Sequence, residues 1–134
     1  MTLKELSQLY HLRLEIAEDR SRLALLRSKA YAASCPNVSG TPGGKGGDRV
    51  SRYSTEIAQI EKLIESKIAR CEKEQIKLET YIAQISDSLT RRIFTHRFIE
   101  HLSWVAVAMR IGGGISADGV KKICYRYIEN SEGK

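Results

Sequence analysis

The chain has few of the residues that build disulfide-linked or membrane-spanning proteins. Its 134 residues include three cysteines and two prolines, and aromatic residues make up only 7%. Cys35, Cys71 and Cys124 are widely spaced without a CxxC pair, which argues against a disulfide framework and against a zinc site. No run of about 18 apolar residues occurs, and the N-terminus has no signal-peptide core. The sequence therefore predicts a cytoplasmic protein that does not enter a membrane.

The residue patterns of common catalytic sites are also missing. His96 and His101 lie five positions apart with no cysteine or paired acid near, so they predict no metal site. The glycine-rich stretch around Lys45 lacks a phosphate-binding loop: its spacing from Gly40 is one residue short, and no Ser or Thr follows the lysine. We therefore expect no enzymatic activity, no cofactor and no metal.

Apolar periodicity predicts two long helices, over residues 2–32 and 48–86. Both follow a 3.5-residue repeat that favours supercoiling, with Asp19, Lys67 and Glu74 as polar interruptions and Asp48 as the cap of the second helix. Residues 33–47 hold both prolines and five glycines and predict a flexible, basic loop that could touch a phosphate backbone. Residues 1–86 are thus expected to form an antiparallel helical hairpin, a coiled-coil stalk. The apolar positions of its seam are Leu9, Leu12, Ile16, Leu23, Leu26, Ala30, Val50, Tyr53, Ile57, Ile60, Ile64, Cys71, Leu78, Tyr81 and Ile85.

A hairpin of two helices buries only one seam, which is seldom enough apolar area. Leu63, Ile68 and Ile82 lie off the main repeat and suit a second seam. We therefore expect self-association, with a dimer favoured. The alternative is that the C-terminal helices cover these positions.

Residues 87–130 predict an all-helical unit of three short helices, followed by a frayed tail at 131–134. Asp87 or Ser88 caps the first helix, which spans Leu89–His101. Ser103 caps the second, Gly112–Gly114 end it, and Ser116 caps the third, which spans residues 116–129. The expected buried positions of these helices are Leu89, Ile93, Phe94, Phe98, Trp104, Val107, Ala108, Ile111, Val120, Ile123, Cys124 and Tyr127.

Two capped helices joined by a glycine turn, with lysines on the second, suit recognition of the DNA major groove. The chain carries a net charge of +6, and residues 89–126 hold seven basic but only two acidic side chains. The alternative is a three-helix core whose lysines only keep it soluble. The predicted DNA-binding residues are Arg91, Arg92, Arg97, Arg110, Ser116, Ala117, Asp118, Lys121, Lys122, Tyr125 and Arg126.

The stretch Phe98–Trp104, followed by Val107-Ala108 and Ile111-Gly112, resembles region 4 of sigma-70-type factors. Together with the segment Ser34–Val50, it is more similar to small phage and prophage regulators of the RinA and ArpU kind, which activate late transcription. The resemblance implies a sequence-specific regulator in a bacterial host cell, whose third helix reads duplex DNA through Ala117, Asp118, Lys121, Lys122 and Tyr125.

The sequence departs from the sigma-type pattern at two places. Gly112–Ile115 lengthens the turn before the third helix, and the outer face of the second helix carries Val105, Ala106 and Met109 instead of polar residues. We expect Val105 and Met109 to pack on the stalk, on a second subunit or on RNA polymerase.

Two other functions remain open. A phage DNA-packaging protein similar to a terminase small subunit would also join a helix-turn-helix to a coiled coil, but as a ring. A protein-interaction module that binds RNA polymerase would bind DNA without sequence preference.

Overall fold

A computed structural model describes residues 1–34 and 46–133, apart from the side chains of residues 46–48. Most of these residues are helical and none lies in a strand, so the predicted all-α class is confirmed. The central part of the predicted loop, residues 35–45, lies outside this range, as do Cys35, Lys45 and Lys134. None of the described helices combines the length and the apolarity needed to cross a membrane. The elements are α1 (Leu3–Leu6), α2 (Gln8–Ser34), α3 (Gly46–Ala83), α4 (Ser88–Phe94), a π-helical turn (Thr95–Ile99), α5 (Trp104–Ile111) and α6 (Ala117–Glu132).

The two long helices differ from their predicted bounds at the ends. The first is interrupted at Ser7, after a short α1 that Thr2 and Glu5 stabilise as a capping box. The second begins at Gly46, so Asp48 lies in its first turn and is not its cap. It ends at Ala83, where the N–H groups of residues 84 and 85 bond to carbonyls three residues back, which tightens the last turn. At the other junction α2 continues to Ser34, so residues 33–34 and 46–47, the two ends of the predicted loop, are helical.

The chain divides into two compact units, one of residues 1–13 with 70–134 and the other of residues 14–69. This division does not follow the boundary that we predicted after residue 86. The reason is that Leu6, Leu9, Leu78, Ile82 and Ile85 belong to the core of the first unit. Short helices bury little apolar area by themselves, and these side chains add what they lack. The alternative prediction, that the C-terminal helices cover the off-repeat positions, is thus confirmed for Ile82.

The core of that first unit is aromatic and aliphatic. Phe94 is fully buried, and its ring centroid lies 5.3 Å from that of Phe98 and 5.4 Å from that of Tyr127. Most predicted core positions are buried or partly buried, but Leu89 is exposed. Ile128, which lay within the predicted third helix but which we had not predicted to be buried, joins this core. The helix itself extends to Glu132. The prediction that Ser131 and Glu132 belong to a frayed tail is therefore wrong.

Residues 14–69 are built on the predicted repeat. Ile16 and Leu23 of α2 and Ile60 and Ile64 of α3 are buried. The two polar interruptions of the repeat pair with each other, since Nζ of Lys67 donates to Asp19 over 2.6 Å. A second, exposed pair joins Arg27 to Glu61 at 2.9 Å. From the first pair to the second, the position rises along α2 from Asp19 to Arg27 and falls along α3 from Lys67 to Glu61.

The helix that we predicted over Leu89–His101 is regular only in its first half. Asp87 caps it by accepting hydrogen bonds from the N–H and the hydroxyl of Thr90, and these bonds lower the pKa of the Asp87 carboxyl. From Thr95 to Ile99 the helix widens into a π turn, in which the N–H of Glu100 donates to the Thr95 carbonyl over 3.1 Å. His101 then adopts a φ of 59°, which ends the helix before the predicted residue.

Candidate nucleic-acid interface

The pair α5 and α6 is held by local hydrogen bonds that the sequence predicted. The Ser103 hydroxyl accepts from the N–H of Ala106 over 3.2 Å, and the Ser116 hydroxyl accepts from that of Gly119 over 3.0 Å. Both predicted caps are thus confirmed. Each satisfies an N–H that the first turn of a helix leaves unpaired.

The turn between the two helices depends on glycine. Gly112, Gly113 and Gly114 have φ values of 78°, 71° and 75°, a backbone region in which a Cβ is strained. This turn allows Val107 of α5 and Val120 of α6 to reach the same core, where both are fully buried. The orientation of α6 therefore depends on three consecutive left-handed residues.

The exposed side of α6 is polar and partly paired. Asp118, Lys121, Lys122 and Arg126 are exposed, and Ala117 and Tyr125 are partly buried. Lys122 lies 3.0 Å from Asp118 one turn away, and Nζ of Lys121 lies 5.6 Å from the centre of the Tyr125 ring. The predicted reading residues thus share one helix, and two of them are already paired with each other.

The four predicted phosphate-contacting arginines fall into two kinds. Arg91 and Arg97 are partly buried and donate to the carbonyls of Ile85 and Leu102, each over 2.9 Å. Arg92 and Arg110 are exposed, and Arg92 donates to the Arg110 carbonyl over 3.3 Å. Arg92 and Arg110 are therefore the better placed pair to meet a phosphate, because Arg91 and Arg97 already hold the backbone of their own unit.

The outer face of α5 is apolar and open. Val105 is 62% exposed and Met109 is 79% exposed. They border a shallow groove of about 370 Å³ that Ile115 and Ala117 also line. The expectation that these side chains pack on the stalk is wrong for the described residues, which leave them uncovered.

The two histidines of the C-terminal part have different surroundings. Nδ1 of His96 lies 2.9 Å from Glu100, and this contact lowers the pKa of the Glu100 carboxyl. Our statement that no paired acid lies near His96 is therefore wrong. His101 is partly buried, and burial together with the positive charges of Arg13 and Arg97 lowers its pKa. In the part of the chain that the structure describes, no group of three or more potential ligands is arranged to hold a metal ion.

The N-terminal residues contribute contacts that sequence reasoning missed. One Nη of Arg13 donates to the Ile99 carbonyl and the other to the Gln75 side chain, each over 3.0 Å. The ring of Tyr10 lies 5.4 Å from that of His101. These partners are far apart in sequence, and no local pattern indicates their contact.

Comparison of the chain with protein-family models, curated proteins and solved structures finds no match.

Proposed function

We propose that the chain is a sequence-specific DNA-binding regulator of transcription, of phage or prophage type. In this proposal α4, α5 and α6 form a helix-turn-helix unit, and α2 and α3 form an antiparallel hairpin that mediates self-association. The observation that carries it is the pair of serine-capped helices, α5 and α6, joined by Gly112–Gly114, with Lys121 and Lys122 exposed on the second helix. Such a pair can lay its second helix in the major groove.

The charges on α6 and its neighbours suit this binding mode. Lys121 and Lys122 can donate to phosphates or to guanine edges, and Asp118 can accept from a cytosine amino group. The Asp118–Lys122 pair is exposed at both ends, so its exchange for DNA contacts costs little. Arg92 and Arg110 then serve as phosphate contacts outside the groove.

Exposed apolar side chains on the long helices favour self-association. Leu14, Leu25 and Leu63 are each more than 40% exposed within residues 14–69. A dimer built on this surface predicts DNA sites with two half-sites. A ring assembly would instead favour the packaging function, so the mass of the protein in solution, from light scattering, separates the two.

DNA binding is tested by fluorescence anisotropy with duplexes from the neighbouring genome and a shuffled duplex, at two salt concentrations. We expect one natural duplex to bind about a hundredfold tighter than the shuffled one, within the range of specific binders. The variant Lys121→Glu/Lys122→Glu should lose this preference. The matched control Lys62→Glu/Lys73→Glu makes the same charge change at exposed positions of α3 and should keep it. Equal, weak binding of all duplexes would overturn the proposal.

A second candidate function rests on the uncovered Val105 and Met109. A protein-binding module needs such an apolar surface, and RNA polymerase is its proposed partner. Purified polymerase should then bind the native chain but not Val105→Ser/Met109→Ser, and both chains should bind DNA equally. If polymerase binds the native chain and the variant equally well, this surface is not its binding site.

A further inference from the structure

A cavity of about 350 Å³ lies within the unit of residues 1–13 and 70–134. Side chains from the N-terminal helices, the π turn, α5 and α6 line it. Its volume falls within the range of small-molecule sites. The lining residues that carry the argument are Tyr10, Arg97, His101, Ser103, Trp104 and Tyr125.

The walls of this cavity are aromatic on more than one element. The rings of Tyr10 and His101 are 5.4 Å apart, and those of Trp104 and Tyr125 are 6.0 Å apart in an edge-to-face arrangement. Leu3, Leu6 and Phe98 add apolar surface. Flat rings with apolar surroundings favour a planar aromatic ligand over a flexible polar one.

The charge in the cavity is positive. The guanidinium of Arg97 lies 4.4 Å from the centre of the Trp104 ring, and one of its nitrogens donates to the Leu102 carbonyl. Its other N–H groups have no hydrogen-bond partner among the described residues. None of the side chains that line the cavity is acidic. The N-terminus of α5, which begins at Trp104, adds its partial positive charge.

His101 has an unfavourable environment that the packing of the fold does not explain. Its Nε2 is buried without a hydrogen-bond partner among the described residues, and its φ of 59° is uncommon for a residue other than glycine. It lies two residues after the π turn, and both π turns and residues with left-handed backbone concentrate at functional sites. The His101 ring lines the cavity and lies against Tyr10, so it forms part of the wall of the site.

The geometry points to a binding site for a small aromatic carboxylate. Its ring would lie among Tyr10, Trp104 and Tyr125, beside the ring of His101, and its carboxylate would accept from the free N–H groups of Arg97. A planar carboxylate can accept two parallel hydrogen bonds from a guanidinium. A lysine ammonium, which acts as a point charge, does not offer this geometry. The site shares Arg97 and Tyr125 with the predicted DNA-binding residues, but it uses neither Lys121 nor Lys122, on which the DNA-binding proposal rests.

The test uses the full chain without DNA, so its result does not depend on the proposed function. Trp104 is the only tryptophan, so its fluorescence reports the cavity directly. Benzoate and its neutral counterpart benzamide are titrated at constant ionic strength, with acetate as the non-aromatic anion. We expect the Trp104 fluorescence to change saturably with benzoate. Benzamide and acetate should bind at least about tenfold more weakly, because each lacks one charged hydrogen bond or one ring contact.

Two variants locate the binding. Arg97→Lys keeps the charge but loses the fork, and it should weaken benzoate binding about tenfold. His101→Asn keeps a residue type that tolerates positive φ and removes the ring, and it should weaken binding as well. The matched control Arg110→Lys changes an exposed arginine that does not line the cavity, and it should bind as the native chain does.

Circular dichroism and thermal melting establish that each variant is folded, and His101→Asn decides the matter if Arg97→Lys is not. The proposal is overturned if benzoate gives no saturation, if benzamide or acetate acts equally well, or if a folded cavity variant binds as tightly as the native chain.

Discussion

The two units of this chain bury their side chains in different ways. Residues 14–69 bury a narrow row of aliphatic residues. The row is interrupted by Asp19, which is only 5% exposed and is paired with Lys67. The other unit buries a wide cluster that draws on every helix of the chain and centres on Phe94. Residues 14–69 thus form a repeated contact between two helices, whereas residues 1–13 and 70–134 form a compact core. We infer that stability is concentrated in the unit of residues 1–13 and 70–134, since buried apolar area is the main source of stability.

The largest effect should come from emptying that core. Phe94→Ala removes a fully buried ring and should lower the free energy of unfolding by about 3–5 kcal/mol. Urea unfolding followed by Trp104 fluorescence measures it, because Trp104 belongs to the same unit. Leu25→Ala, at a position 56% exposed in the other unit, serves as the control and should leave this transition in place. An unmoved Trp104 transition in Phe94→Ala would contradict the inference.

The next effect concerns the polar pair of residues 14–69. Lys67→Met leaves the buried carboxylate of Asp19 without its closest cation and should lower the melting temperature followed by circular dichroism. Asp19→Leu/Lys67→Met should recover the native value or exceed it, because an apolar pair needs no desolvation of charge. Arg27→Met breaks the exposed pair with Glu61 and should cost under about 1 kcal/mol. Equal losses for Lys67→Met and Arg27→Met would show that burial does not distinguish the pairs.

A smaller effect should follow from a change in the glycine turn. Gly113→Ala places a Cβ at a φ of 71°, and this Cβ meets no atom within 4 Å, so only backbone strain opposes it. We expect a loss of about 1 kcal/mol in urea unfolding. Gly113→Asn should lose less, because asparagine tolerates this conformation better. The interpretation fails if alanine is accepted without loss.

The smallest effect is a pH dependence from His101. Burial and the charges of Arg13 and Arg97 lower its pKa, so the unfolded chain takes up a proton before the folded chain does. Stability is therefore complete above the ordinary pKa of 6.5 and declines as the pH falls below it toward the lowered pKa. Urea midpoints over this range, with NMR titration of the His101 ring, measure the slope. His101→Asn should remove it, and a slope that persists in this variant would assign the effect to another group.

The features that the sequence predicts well are local. Asp87, Ser103 and Ser116 cap their helices because each hydroxyl or carboxylate bonds to an N–H only three residues away. The 3.5-residue repeat likewise identifies Ile16, Leu23, Ile60 and Ile64 as buried. Such patterns are fixed by neighbours along one helix, so a single sequence is enough to detect them.

The features that it misses join distant residues. The repeat marks Asp19 and Lys67 as exceptions but does not indicate that they pair, since their contact depends on how two helices are aligned. Arg13 bonds to a carbonyl 86 positions away, and Tyr10 meets His101 in the cavity. The left-handed backbone of His101 was not foreseen, because histidine is only one of several residue types enriched at positive φ and the sequence does not indicate where the π turn ends. The candidate DNA-reading residues were therefore accessible from the sequence, but the cavity was not.

The π turn at Thr95–Ile99 has a consequence for the register of the residues that follow it. A π turn holds one residue more than an α-helix of equal rise, so it is equivalent to a one-residue insertion into a regular helix. Removing one residue here would restore regular geometry, and each following side chain would rotate by about 100° around the axis. A chain without this extra residue would therefore present other side chains to the cavity. The π turn thus sets which residues after it can join Arg97 in one site.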